Sequence, residues 1–260
     1  MTRAAGRAFP IALGVALAAV LTFLTLPVVA IFTEASPGDL LSSLGHDGAL
    51  DALRLSLETS AIAVGLVVAI GTPAAYVLAT RNFRGKALVT TLVELPLVLP
   101  PAVAGIGLLA ALGPKGLLGG PAPPLVLETA GVVVALAFVS APFYVRQAQA
   151  AFESVDPSLL EASRTLGYGE AATLARVAVP VARPGLAAGL ALALGRALGE
   201  FGATLMFAGS VRGVTQTAPL AIYERFGTDF TAALALSAVL VAVSLALLLT
   251  VKLADAGDLR

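Results

Sequence analysis

The chain has 260 residues, 58% hydrophobic and 12% charged, with 16 Lys+Arg set against 16 Asp+Glu. A soluble domain averages about 25% charged and about 45–50% apolar residues, so this composition excludes an ordinary soluble enzyme and a disordered chain, and the zero net charge offers no basic field for nucleic acid. Cysteine is absent, which removes disulfides, thiolate metal sites and a thiol nucleophile, and the single histidine, His46, lies in a short polar stretch.

A helix crossing the roughly 30 Å hydrocarbon layer needs about 20 mostly apolar residues. Six stretches qualify: 9–32, 55–80, 88–112, 127–145, 186–208 and 231–251. The first follows Arg3 and Arg7 and ends in small residues, as a signal peptide does. Its apolar run exceeds the roughly 7–15 residues of a signal core, which favours an uncleaved span. Cationic loops stay in the cytoplasm. With the N-terminus inside, Arg3, Arg7, Arg81, Arg84, Lys86, Arg146, Arg164, Arg176, Arg183, Lys252 and Arg260 fall on that side. Arg54, Lys115, Arg212 and Arg225 fall outside. The prediction is an all-α polytopic protein of six transmembrane helices with both termini cytoplasmic, forming one domain over 1–260.

The first outer loop carries Glu34, Asp39, Asp47 and Asp51, and it is too short to be a domain. In the third span Pro96, Pro100 and Pro101 each lack the N–H that would bond a carbonyl one turn earlier. Freed carbonyls in lipid need partners or a cavity. This segment reads as a bend or hinge, or as an ordinary tolerated kink.

The longest cytoplasmic connection is 146–184. Asp156 is a helix cap and Pro157 a first helical residue. Leu159, Leu160, Ser163 and Leu166 recur at helical spacing and predict one apolar edge, and Gly167 supplies a left-handed stop. Tyr168 and Gly169 form the turn. A second helical stretch over 170–177 then leads to Pro180 and Pro184, which bend the chain into the fifth span. The helix at 157 is either an interfacial helix on lipid headgroups or a knob for a groove on a partner protein. Glu161 amid the apolar positions and a sparse basic face favour the knob.

Glu94, Arg196 and Glu200 lie within spans, where a charge must face protein, water or a partner. Arg196 and Glu200 are four apart and can meet on one helix face. They form either a packing pair or a functional charge within the membrane, and Glu94 is a second candidate partner for Arg196. Gly185 and Gly189, and again Gly195 and Gly199, are spaced as GxxxG for close helix approach, within the subunit or across a dimer.

The long loop resembles that of permease subunits of ATP-binding-cassette (ABC) importers. Their signature is Glu-Ala-Ala, three residues, Gly, nine residues, then Ile-x-Leu-Pro. Here it reads Glu161-Ala162-Ser163, Gly167 and Val177-Ala178-Val179-Pro180, with every spacing kept. The segments ELPLVLPPAVAG (94–105) and GRALGEFGATLMFAG (195–209), with Thr217-Ala218-Pro219-Leu220-Ala221-Ile222-Tyr223, resemble permeases for molybdate and tungstate, and less closely those for sulfate.

The resemblance implies a coupling helix between spans four and five that contacts the ATPase through Pro157, Leu159, Leu160, Glu161, Ala162, Ser163, Arg164, Leu166, Gly167 and Tyr168. It implies a gate at Pro100, Pro101, Glu200, Phe201, Gly202 and Thr204. It also implies a prokaryotic inner-membrane location, two ATPase subunits, a second permease copy in a homodimer and an extracytoplasmic solute-binding protein. No GxxxxGK[ST] loop occurs in the sequence, so ATP and Mg belong on the partner ATPase and no cofactor is expected on this chain. A sulfate or thiosulfate permease is the neighbouring alternative. An ion-coupled carrier using Glu94 or Glu200 is a different class, and the paired halves common in such carriers are not visible.

Overall fold

The computed structural model describes residues 2–34, 38, 48–119 and 125–257. His46, Asp39 and Asp47 lie outside the described residues. Those described are helical, with no strand among them. Five helices are long and apolar enough to cross a membrane, or six spans if one bent pair is counted as a crossing.

Helix α1 is Thr2–Glu34 and α2 is Ala49–Thr80. The third predicted span is two helices, α3 (Lys86–Val98) and α4 (Pro101–Leu112), set at 116° to each other. The cause is the Leu99-Pro100-Pro101 run. A proline pushes the residue before it out of the helical region, and two in succession do this to Leu99 (ψ 129°) and Pro100 (ψ 134°). Pro101, free of that constraint, opens α4 at the first helical position, where its missing N–H is harmless. The expected kink is therefore a complete break.

Helix α5 is Thr129–Glu153 and ends eight residues beyond the expected end of the fourth span at 145. Helix α6 is Pro157–Thr165, and α7 is Glu170–Thr173. A π-helical turn, Leu174–Ala178, then joins α7 to α8 (Val179–Leu198). The expected fifth span, 186–208, is thus corrected at both ends. One helical rod runs from Glu170 to Leu198, and the chain breaks at 199–201 before α9 (Gly202–Ala208). Pro180 and Pro184 sit in the first turns of α8 without ending the rod. The long loop contracts to residues 154–169. Helix α10 is Ala218–Phe226 and α11 is Phe230–Gly257.

The core lies where α2, α5 and α8 pack together. Tyr144 of α5 is 2% exposed, and its hydroxyl is 2.7 Å from Thr72 Oγ1 of α2. A methyl on Gly71 would lie 3.1 Å from the Tyr144 ring, and one on Gly189 would lie 3.3 Å from its other edge. Gly185 is closer still to α5: a methyl there would collide with Ala151 Cβ. The Gly185/Gly189 pair therefore serves packing within the subunit, whereas a methyl on Gly195 would meet nothing within 4 Å. Helix α1 stands apart, packed on α11. From residue 9 onward its side chains are exposed except for half-buried Ile31.

Candidate coupling and gate sites

Helix α6 is capped as its sequence dictates. Asp156 accepts a hydrogen bond from Ser158 N at 2.9 Å, and the hydrogen bonds from Ser158 hold its carboxyl below the usual carboxylate range. Gly167 closes the helix at φ +87°, a left-handed geometry that penalises any residue with a Cβ. Tyr168 N then bonds back to Ser163 O at 3.2 Å.

The expected single apolar edge is divided. Leu160 and Ser163 are buried inside the subunit, with Leu160 packed into the main core. Leu159, Glu161, Ala162, Arg164, Leu166, Gly167 and Tyr168, with Pro157, are exposed. Leu160 and Ser163 are corrected as direct contacts with a partner, because the subunit's own core covers them. The reason is rotational: successive residues differ by about 100° around a helix, so Leu159 and Leu160 cannot share one narrow face.

Helix α6 is tied down on its inner side. Ser163 Oγ lies 2.9 Å from Thr173 Oγ1. Glu170 Oε1 meets Arg164 of α6 and Arg81, the C-cap of α2, each at 3.1 Å. Glu170 accordingly raises the Arg164 pKa. The Arg176 guanidinium stands 5.5 Å over the Tyr168 ring, within cation–π range.

The gate candidates converge only in part. A Cβ on Gly202 would lie 2.9 Å from Pro101 Cβ, and one on Gly105 would lie 2.7 Å from Ala203 O. The start of α4 and the start of α9 are therefore in contact, and the broken span closes on the helix after the break at 199–201. Pro100 and Pro101 are exposed, Phe201 and Gly202 half-buried, and Thr204 fully buried. The Thr204 hydroxyl has no partner among the described residues. Phe201 meets Tyr223 of α10 in a tilted ring contact, with centroids 5.0 Å apart and planes at 52°.

Arg196 and Glu200 form an ion pair at 2.5 Å, with the Glu200 side chain 1% exposed. Its other oxygen accepts Ala203 N at 2.6 Å, so one carboxylate joins the end of α8 to the first turn of α9. Glu94 does not reach Arg196. It pairs with Arg146 of α5 at 2.8 Å, and Arg146 donates to Gln149, which donates to Glu153.

Sequence reasoning missed Arg146, treated as a loop cation because the fourth span was ended at 145. It also missed Thr173, Glu170 and Tyr223, whose roles depend on tertiary contacts. Outside the gate, Glu224 of α10 pairs with Arg212 at 2.5 Å and accepts from Gln216. These bonds, with Arg212 foremost, lower its pKa. No cluster of three His, Cys, Asp or Glu residues suited to a metal occurs among the described residues.

Residues 61–256 match the family described as binding-protein-dependent transport system inner membrane component. The chain is 38% identical over 232 residues to a probable molybdenum ABC transporter permease of Haloferax volcanii, covering 89% of this chain and 85% of that one. It is 40% identical over 228 residues to the molybdenum transport system permease ModB of Mycobacterium tuberculosis, covering 86% of each. It is 36% identical over 240 residues to the probable transport system permease NifC of Clostridium pasteurianum, covering 90% and 84%. The fold resembles a chain of a bacterial ABC transporter involved in import of the acidic polysaccharide alginate, with a TM-score of 0.77, 17% identity and 98% of both chains covered. It also resembles a chain of the inward-facing MetNI methionine ABC transporter, with a TM-score of 0.58, 17% identity and 82% and 93% coverage.

Proposed function

This chain belongs to the family of binding-protein-dependent transport system inner membrane components, and on that premise we propose that it is the permease subunit of an ABC importer for a tetrahedral oxyanion, molybdate before tungstate or sulfate. Relatives named for molybdenum transport at 38–40% identity support the cargo. The observation that carries the machine is α6, a capped helix fixed on its inner face by Leu160 and Ser163 while Glu161, Ala162 and Leu166 stay exposed. That face fits the groove of a separate ATPase. Two ATPase subunits, a second copy of this chain and an extracytoplasmic solute-binding protein complete the assembly, with ATP and Mg held by the ATPase.

Closure of the ATPase pair moves α6, and the spans pass from an inward-open to an outward-open arrangement. Such a shift requires nucleotide to bind the two arrangements unequally. The passage runs past the contact of α4 with α9, where Gly202 meets Pro101, and Pro100, Glu200, Phe201 and Thr204 are the remaining gate candidates. Glu200 organises the joint, and Arg196, its side chain 26% exposed, offsets the repulsion a dianion meets there.

The test is reconstitution of the chain with its ATPase and binding protein in liposomes, followed by uptake of molybdate, tungstate and sulfate. Glu161→Lys, or deletion of residues 159–166, is expected to abolish ATP-driven uptake while the spans stay folded. Normal uptake by the deletion variant would end the proposal. Transport by this chain without a partner would replace it with an ion-coupled carrier.

A further inference from the structure

A push on α6 needs a route into the spans. Only two α6 side chains, Leu160 and Ser163, are buried. Leu160 makes a nondirectional apolar contact in the core, which resists separation but tolerates sliding. Ser163 is different. Its hydroxyl is bonded at 2.9 Å to that of Thr173, the two residues being 4% and 0% exposed. A directional bond shielded from water resists shear as well as separation, because neither hydroxyl has solvent to turn to when the geometry is lost.

Thr173 is the last residue before the π turn Leu174–Ala178, a type of irregularity frequent at functional sites. On the exposed side of the same junction, Glu170 Oε1 bridges Arg164 of α6 and Arg81 at the end of α2. Salt and solvent weaken that pair, so it assists the buried bond and does not replace it.

We propose that Ser163 and Thr173 are positioning residues for energy coupling: their buried hydroxyl bond, braced by Glu170, makes α6, α7 and the end of α2 one body, which hands its displacement to α8 across the π turn. The proposal rests on α6 being the helix that docks an ATPase. It assigns the stroke to the fifth span first, since α6 has no comparable polar bond to α5 among the described residues.

The chain has no cysteine, so a single thiol introduced as Leu192→Cys, at an exposed position of α8, reports that helix alone. In the full complex with the ATPase, the thiol's labelling rate is measured with and without ATP. ATP is expected to change the rate several-fold. Thr173→Val, which keeps the shape and removes the hydroxyl, is expected to reduce that change at least threefold while ATPase affinity and ATP hydrolysis stay within twofold. The exchange Ser163→Thr with Thr173→Ser is expected to restore it.

An ATP response in Thr173→Val equal to that of the unsubstituted chain would overturn the proposal, as would no response at Leu192→Cys in the unsubstituted background. If Thr173→Val loses the ATPase, Ser163→Ala is read in its place; loss of the ATPase by both assigns the pair to folding and overturns the proposal. Cargo is tested apart. An intact labelling response without molybdate uptake would defeat the molybdate reading and support this one, and failure of the unsubstituted chain to bind any ATPase would defeat both.

Discussion

Glu94 of α3 and Arg146 of α5 meet at 2.8 Å, an ion pair between the first half of a broken span and the last turns of the next long helix. Helix α3 buries no side chain of its own, so this pair is its one charged anchor to α5 among the described residues. Its apolar faces, including Leu88, Leu92, Leu95 and Val98, point outward. Half-buried Val93 adds an apolar contact with the main core.

Removing one partner strands the other at membrane depth, where a lone charge costs about 2.5–3.5 kcal/mol at a helix centre. Glu94→Ala is expected to destabilise the chain by about 2 kcal/mol, below that range because the pair is partly exposed. The reversed pair, Glu94→Arg with Arg146→Glu, is expected to recover most of the loss. Thermal unfolding in detergent measures both, and equal melting for all three chains would show that the pair does not hold α3.

Gly105 and Gly107 lie on one helix and make opposite predictions. A methyl on Gly105 would lie 2.7 Å from both Ala203 O and Met206 Cβ, whereas one on Gly107 would meet nothing within 4 Å. Overpacking costs about 1–3 kcal/mol, so Gly105→Ala should lower the melting temperature and slow uptake by prising α4 from α9. Gly107→Ala should leave both unchanged. A common response would mean that α4 and α9 are not in contact in the folded protein.

Glu200 serves Arg196 with one oxygen and Ala203 N with the other. Breaking a buried ion pair from one side costs about 3–5 kcal/mol, so Glu200→Ala should be among the most damaging single changes in the chain. Glu200→Gln keeps an acceptor for Ala203 N and should fall between it and the native chain. Denaturation midpoints in detergent give the order, and equality of the Ala and Gln variants would deny the cap a share of the stability.

The Arg212–Glu224 pair gives a pH signature. Glu224 has its pKa lowered in the folded chain, with Arg212 the leading cause, so the folded state binds the proton less readily than the unfolded one. Its contribution is present above the ordinary glutamate value of 4.5 and is lost as pH falls through the lowered folded value. Hydrogen exchange over Ala218–Phe226, corrected for its intrinsic pH dependence, should be flat from about pH 7 to about 5 and rise only in stronger acid. Arg212→Ala should shift that rise to higher pH.

The features legible in the sequence were those fixed by local chemistry. Asp156, Pro157 and Gly167 bound α6 because caps and left-handed stops act within one turn of chain, and five long apolar rods were visible as runs of sufficient length. The start of the fifth rod was hidden because Arg176, Pro180, Arg183 and Pro184 dilute its hydrophobicity, although its first turns bear on the subunit and solvent. The severance at Pro100 was present in the double proline, whose effect on Leu99 is a rule of local sterics. Partner choice was not legible: Glu94 took Arg146 instead of Arg196, and Ser163 found Thr173, because these pairings follow from how helices distant in sequence come to lie side by side.

The π turn at Leu174–Ala178 fits one more residue into its coil than regular α geometry would hold. Each residue of an α-helix advances the azimuth by about 100°, so the extra residue sets the phase between Glu170–Thr173 and everything beyond Val179. Excising one residue there would straighten the winding and leave α6 facing a quarter-turn or so away from its present heading, with both flanking helices chemically unaltered.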